Sequence, residues 1–65
     1  MTRNGEKTRE DHRVRYTRKI LKDNLISLMK ERPVADIGIK EICARAEVSR
    51  STFYVYYENV YHLLA

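Results

Sequence analysis

The side chains with the greatest capacity for chemistry lie together in one short segment near the end of the chain. It carries hydroxyl, guanidinium and phenol groups at Ser49, Arg50, Ser51, Thr52, Tyr54, Tyr56 and Tyr57. Such groups hydrogen-bond to phosphate oxygens and to the edges of bases. Phe53 interrupts the polar run, which predicts a helix with one buried face. This pattern favours a helix that binds nucleic acid over one that catalyses a reaction.

No other set of residues predicts catalysis or metal binding. Cys43 is the only cysteine, which excludes an internal disulfide and a cysteine-based zinc site, and we expect it in the core. His12 and His62 are far apart, lack partners at ligand spacing and are expected to be solvated. The Glu10-Asp11 pair lacks the apolar setting that raises the pKa of a catalytic carboxyl. We therefore predict a protein that is not an enzyme and has no cofactor or metal.

Apolar periodicity predicts that helices position these groups. One apolar face, at i, i+4, i+7 and i+8, consists of Leu21, Leu25, Leu28 and Met29. This first helix should run from Arg13 or Arg15 to about Arg32, because Pro33 cannot donate the next helical hydrogen bond. In the link that follows, Val34 and Ile37 are expected to pack against it.

Two short helices and the start of another follow. The apolar face of the second helix consists of Ile39, Ile42, Cys43 and Ala46. Ser49 should cap a third helix from Arg50 to about Tyr57, with Phe53 inward, and Asn59 should cap a fourth that begins at Val60. The predicted fold is all-α: a three-helix, homeodomain-like bundle with a helix-turn-helix at about 38–57, plus the start of a fourth helix.

Charge and composition differ along the chain. Residues 1–32 hold ten basic and five acidic side chains (+5), and residues 33–65 hold three and four (−1). Residues 1–12 show no apolar periodicity and are predicted to form a flexible basic arm before a domain at 13–65. No apolar run has the length of a membrane span or a signal peptide, so we expect a cytoplasmic protein. The short fourth helix suggests that a parent protein continues past Ala65.

The segment IKEICARAEVSRSTFYVYYENVYHLL resembles the DNA-binding head of the tetracycline-repressor (TetR) family. The features shared with that family are a Val-Ser turn, a Thr-Phe-Tyr run and an aromatic pair before Leu-Leu. The resemblance covers about residues 15–65, and the run from Val48 to Tyr54 is its most diagnostic part. It implies a DNA-binding set of Lys40, Ser49, Arg50, Ser51, Thr52, Tyr54 and Tyr56.

Within that set the resemblance implies different roles. Lys40 and Tyr54 would meet phosphates, while Arg50, Ser51 and Thr52 would face bases and backbone. Tyr56 occupies a position where the family often has a DNA-facing aromatic or histidine. Val55 is expected to add only a small apolar contact, with a thymine methyl. Tyr16 and Tyr61 are expected to pack on helix edges.

The chain departs from the family pattern at three positions. Glu47 replaces the usual turn glycine, which costs about 1–2 kcal/mol if the backbone there is left-handed. Gly38 replaces a capping Thr or Ser, and Val60 replaces a frequent phosphate-binding Lys. We expect cations of the arm and first helix to supply phosphate or minor-groove contacts instead. These cations are Arg3, Lys7, Arg9, Arg13, Arg15, Arg18 and Lys19.

The resemblance implies a bacterial, ligand-responsive repressor that binds double-stranded DNA at a palindromic operator. A C-terminal domain absent from this chain would form the homodimer and bind a small-molecule effector. The alternative is a helix-turn-helix scaffold that serves as a protein-interaction module, with Tyr54, Tyr56, Tyr57 and Tyr61 as its aromatic surface. The net charge of −1 over residues 33–65 favours this alternative somewhat.

Overall fold

The computed structural model describes the backbone of residues 3–65 and the side chains of residues 12–65. Within that range the chain forms four α-helices and one short 3-10 helix, and no strand. The α-helices are α1 (Arg3–Met29), α2 (Ile39–Ala46), α3 (Arg50–Tyr56) and α4 (Val60–Leu64), and the 3-10 helix is Val34–Asp36. The predicted all-α bundle with a helix-turn-helix is confirmed.

The first helix begins earlier than predicted, at Arg3 instead of Arg13 or Arg15. Residues 3–12, predicted as a flexible arm, are therefore helical in their backbone. Arg, Lys and Glu are good helix formers, so a segment rich in them can be helical without apolar periodicity. The side chains before His12, including three of the predicted DNA-contacting cations, lie outside the described residues.

The same helix ends earlier than predicted, at Met29 instead of about Arg32. The next residues form a turn in which the amides of Glu31 and Arg32 both donate to the carbonyl of Leu28, at 2.9 and 3.0 Å. Pro33 disfavours the helical conformation of the residue before it, which is why the chain leaves the helix here.

A single core joins the helices. Its buried side chains are Leu21, Leu25, Leu28, Ile37, Ile42, Cys43, Ala46, Phe53, Tyr57, Val60 and Leu63. Met29, predicted on the same face as Leu28, is 37% exposed because it lies at the edge of the apolar stripe. Ile37 is buried and Val34 packs against the core, as predicted for the link.

The helix starts agree with the predicted caps. Ser49 Oγ accepts a hydrogen bond from the amide of Thr52, and Asn59 Oδ1 accepts one from the amide of His62 at 2.8 Å. Gly38 precedes α2 without a side-chain cap. A Cβ at Gly38 would have no heavy atom within 4 Å, so nothing in the packing requires glycine there.

Helix α3 is attached to the bundle chiefly through α2. Helix α1 packs on α2 and α4, and α2 packs on α3. An ion pair between Arg32 and Glu41 joins the end of α1 to α2. The hydrogen bond to Glu41 raises the pKa of Arg32 above its ordinary value. Among the described residues, no helix combines the length and apolar character needed to cross a membrane.

Candidate nucleic-acid interface

Helix α3 has one face in the core and one in solvent. Phe53 is fully buried, as predicted, in the same core as Ile42, and Val48 packs against that core. Ser51 and Val55, four residues apart, lie on the side opposite Phe53, and both are exposed. The exposed face therefore begins at the first turn of α3 and continues to its last.

The first turn of α3 is held by the side chain of its capping residue. Ser49 Oγ accepts from the amide of Thr52 at 3.1 Å and donates to Thr52 Oγ1 at 2.9 Å. The Ser49 hydroxyl is thus engaged within the protein. Because Thr52 Oγ1 accepts this bond, its own hydrogen can donate to an acceptor outside the protein. Of the two hydroxyl groups, that of Thr52 is therefore the better placed to donate to a bound molecule, and that of Ser49 fixes its position.

Three more of the predicted DNA contacts are exposed. Arg50 and Ser51 are the first two residues of α3, and Lys40 is the second residue of α2. The first turn of a recognition helix is the part that reaches base edges in helix-turn-helix proteins. Arg50 and Ser51 therefore occupy the positions from which side chains can reach a groove.

The two predicted tyrosines of α3 differ in their surroundings. Tyr54 is 57% exposed, and its ring meets the buried Phe53 ring edge to face at a centroid distance of 5.6 Å. Tyr56 is half-buried and packs against the core, 6.4 Å from the ring of Tyr57. It follows Phe53 by three residues, which puts it beside the buried face. Tyr54 is thus the better placed of the two for a partner in solvent.

Val55 is more exposed in the structure than its small predicted role suggests. It is 73% exposed, the highest value among the large hydrophobic side chains that the structure describes as exposed. Tyr56 and Tyr57 follow Phe53 by three and four residues and lie toward the core, whereas Val55 follows it by two and faces outward. Counting from Phe53 is therefore sufficient to find it.

The turn between α2 and α3 is tight. Glu47 ends α2 with φ 59° and ψ 43°, a left-handed conformation. The amide of Val48 donates to the carbonyl of Cys43 at 3.0 Å and closes the turn. Glutamate therefore adopts the backbone geometry for which glycine is usual at the end of a helix.

Arg18 has a partner within the protein. It was predicted among the phosphate-contacting cations, but its Nε donates to Tyr57 Oη at 3.1 Å, and its guanidinium carbon lies 5.9 Å from the Tyr57 ring centroid. The hydrogen bond to Tyr57 raises the pKa of Arg18 above its ordinary value. Tyr57 also meets the His62 ring edge to face at 5.4 Å. Arg18 thus joins α1 to the end of α3.

The surroundings of His62, Tyr16 and Tyr61 differ in part from the predictions. His62 is exposed as predicted, but its Nδ1 also accepts from the amide of Glu58 at 3.0 Å. Tyr16 and Tyr61, expected to pack on helix edges, are mostly exposed. His12 is exposed as predicted.

The charges of the motif favour an anionic partner. Residues 38–57 contain Lys40, Arg45 and Arg50 against Glu41 and Glu47. The Glu41 carboxylate is paired with Arg32, which lies outside the motif. The motif therefore carries a net charge of +1, from three basic and two acidic side chains, in contrast to −1 for residues 33–65 as a whole.

Cys43 and the possible metal-binding side chains of residues 12–65 were compared with the predictions made for them. Cys43 is buried in the core, as predicted, and burial raises the pKa of its thiol, partly offset by the positive charge of Arg50. Among the described residues, no three His, Cys, Asp or Glu side chains lie close enough together to hold a metal ion.

Comparison with known proteins agrees with this geometry. The chain is 39% identical over 44 residues to a Bacillus subtilis (strain 168) protein named "Uncharacterized HTH-type transcriptional regulator YxbF". The match covers 68% of this chain and 12% of that protein, so it concerns a small part of the relative. No family model matches the chain. No solved structure matches it significantly either.

The similarity supports the prediction of a helix-turn-helix regulator and does not single out the TetR family. The chain is therefore an all-α helix-turn-helix domain that is similar, over two thirds of its length, to an HTH-type transcriptional regulator.

Proposed function

We propose that this chain is the operator-binding head of a TetR-like transcription regulator. The observation that carries the proposal is the exposed first turn of α3, where Arg50 and Ser51 are held outward by the Ser49 cap and the buried Phe53. A helix of about 10–12 Å diameter fits the major groove, which is about 12 Å wide. The similarity to a transcriptional regulator supports the same reading.

The side chains of the interface divide by what they can bind. Arg50 is proposed to bind a guanine edge, because its planar guanidinium matches the O6 and N7 acceptors. Ser51 and Thr52 donate to bases or backbone. Lys40 and Tyr54 bind phosphates, which position the head without reading sequence.

Regulation is proposed to depend on two such heads. A homodimer, formed by a C-terminal domain outside these 65 residues, would place the heads on half-sites of a palindromic operator. A small-molecule effector bound by that domain would change their separation and release the DNA, which makes the protein a repressor acting in the bacterial cytoplasm. The resemblance to the TetR family supports this part of the proposal.

A titration with mixed duplex DNA at two salt concentrations tests DNA binding. Binding through phosphates releases counterions, so affinity must fall as salt rises. No complex at low salt would refute the proposal and favour the protein-interaction module. In the structure that alternative loses part of its aromatic surface, because Tyr57 is buried and Tyr56 is half-buried.

Two substitutions test the division of roles on a duplex selected from a random library. Arg50→Ala should reduce the preference for the selected sequence, by about 1–3 kcal/mol if Arg50 binds guanine with two hydrogen bonds. Lys40→Ala should weaken binding to all sequences alike and lower the salt slope by about one.

Arg45→Ala is the matched control for Lys40→Ala. It removes one positive charge from the same helix, at an exposed position on a different side. A smaller effect of Arg45→Ala than of Lys40→Ala is expected. If Arg50→Ala and Lys40→Ala change affinity for selected and random duplexes in the same way, the assigned roles are wrong.

A further inference from the structure

A cavity lies between α1 and α4, next to Tyr57 at the end of α3. Its volume is about 590 Å³, within the range of about 300–1,000 Å³ that is usual for small-molecule sites. It is partly open to solvent, so a ligand can enter without the unfolding of a helix. None of the side chains to which the proposed function assigns a DNA contact lines it. The residues that do line it indicate which kind of molecule it can hold.

One stripe of α1 supplies both charged and apolar groups to the cavity. Arg18, Lys22 and Ile26 follow one another at intervals of four residues, so they lie along the same side of the helix. Like charges four residues apart slightly destabilise a helix, so the two cations together do not serve the stability of α1. Ile26 is exposed and lies outside the core. The stripe thus has positive charge at one end and an apolar group at the other.

The charges that line the cavity are not balanced. Lys19 Nζ and the Asp23 carboxylate form an ion pair at 3.1 Å, so these two charges largely neutralise each other. Lys22, by contrast, is half-buried and forms no ion pair with any of the residues that the structure describes. Arg18 donates through Nε to Tyr57 Oη, and its terminal nitrogens donate to none of the described residues. Two positive groups therefore remain for an anion.

We propose that this cavity binds a small organic carboxylate with an apolar body, a ligand complementary to it in charge. The carboxylate accepts hydrogen bonds from Lys22 Nζ and from the terminal nitrogens of Arg18, while the apolar body lies on Ile26 and Leu63. One negative charge suits the site better than the two of a phosphate group, because the Asp23 carboxylate also lines the cavity. This inference does not rest on the proposed function, since it concerns a separate group of side chains.

The test compares three probes that separate charge from apolar surface. Phenylpropionate has both a carboxylate and an apolar body, phenylpropanol has the same body without the charge, and inorganic phosphate has charge alone. Each is titrated into the 65-residue chain at constant ionic strength, and NMR follows the methyl signals of Ile26 and Leu63. The chain carries a C-terminal amide, because Ala65 lines the cavity and a terminal carboxylate there would repel the probe.

The expected order of affinity follows from the two kinds of contact. Phenylpropionate should bind with a Kd of about 4 mM, as the number of its non-hydrogen atoms allows. Phenylpropanol should bind about five-fold more weakly, the upper value for exposed ion pairs. Phosphate should leave the methyl signals unchanged. Equal affinity for phenylpropionate and phenylpropanol would overturn the inference, and so would phosphate binding as tight as that of phenylpropionate.

Two substitutions connect the probes to their proposed partners. Lys22→Gln should reduce the affinity for phenylpropionate about two- to three-fold and leave that for phenylpropanol unchanged, because it removes charge alone. Ile26→Ala should weaken the binding of both probes alike, since it removes apolar surface. Both side chains lie outside the core, so the fold should persist, which circular dichroism checks.

Lys30→Gln is the matched control for Lys22→Gln. Lys30 is exposed, follows the last residue of α1 and does not line the cavity, so its loss should change the affinity for neither probe. An effect as large as that of Lys22→Gln would show only a general attraction between a basic chain and an anion, and would overturn the inference. If the chain binds duplex DNA but not phenylpropionate, the inference is refuted and the proposed function stands.

Discussion

Among single residues, Glu47 carries the clearest conflict between side chain and backbone. Its left-handed conformation is forced by the short turn between α2 and α3, in which the amide of Val48 must reach the carbonyl of Cys43. A residue with a Cβ costs about 1–2 kcal/mol in this conformation. Its carboxylate also lies close in sequence to the first turn of α3, where it opposes an anionic partner.

We predict that Glu47→Gly stabilises the domain by about 1 kcal/mol, after part of the gain is lost to the greater freedom of glycine in the unfolded chain. Urea unfolding of the 65-residue chain measures this. Glu47→Gln retains the Cβ and removes the charge, so it should leave stability nearly unchanged. Both variants should bind DNA more tightly than the parent chain at low salt. A destabilised Glu47→Gly would show that the turn does not store this strain.

Val55 and Tyr56 are neighbours in α3 but differ in exposure. The resemblance to TetR heads favoured Tyr56 as a DNA contact and assigned Val55 little importance. The structure places Tyr56 against the core and leaves Val55 open, because each is positioned by its angle from Phe53 around α3. The angle of about 100° between successive helical residues applies to every sequence, whereas a family pattern is an average over many sequences.

Between elements, the contact of Arg18 with Tyr57 connects α1 to the end of the recognition helix. The two residues are 39 positions apart in the sequence, and the hydrogen bond is 3.1 Å long. Helix α3 packs mainly on α2, so this contact is a separate constraint on its orientation. We therefore expect Arg18 to influence DNA binding through the orientation of α3.

We predict that Tyr57→Phe lowers the urea midpoint without changing the dependence on urea, since the ring remains in the core. Arg18→Gln should do the same. The double variant should lose no more unfolding free energy than the more destabilised single variant, because both changes remove the same interaction. Tyr16→Phe, at an exposed tyrosine of α1, is the control and should have no effect. Additive losses would contradict the proposed coupling.

For DNA binding, the same variants give a second measurement. If the contact orients α3, Tyr57→Phe should weaken binding to the selected duplex more than to random duplex. A phosphate-binding role for Arg18 would instead weaken both alike when Arg18 is replaced and neither when Tyr57 is replaced.

At the scale of the whole molecule, one head offers few contacts to DNA. Arg50 is the sole charged residue of α3, and Val60 occupies the position at which the family often has a lysine. The small interface predicts weak binding by a single copy. Two copies on adjacent half-sites gain from the high effective concentration of the second head.

We predict that two copies of the chain joined by a flexible linker bind a palindrome more tightly than one copy, by a factor of about 10²–10⁴. The half-site centres are set about 34–36 Å apart, one turn of DNA, and the linker is chosen to span this distance. Fluorescence anisotropy at fixed salt measures the gain. Scrambling one half-site should abolish it, and an equal gain on the scrambled duplex would contradict the two-head arrangement.

The local elements could be predicted from the sequence alone because their causes are local. The starts of α2, α3 and α4 and the burial of Cys43 and Phe53 follow from caps and from spacings of three or four residues. Helical hydrogen bonds and side-chain caps act over that distance, so the sequence contains them in full. The start of α1 was harder, since the charged residues before Arg13 show no apolar period.

The tertiary structure alone decided which charged side chains find partners on other parts of the chain. Arg18 bonds to Tyr57 and Arg32 pairs with Glu41, contacts that bring together residues of separate helices. Helix packing determines such pairs, and no local spacing encodes them. The sequence thus determined the helix-turn-helix and its candidate reading segment. The packing of the helices determined that Arg18 is engaged by Tyr57, while the ring of Tyr54 stays exposed.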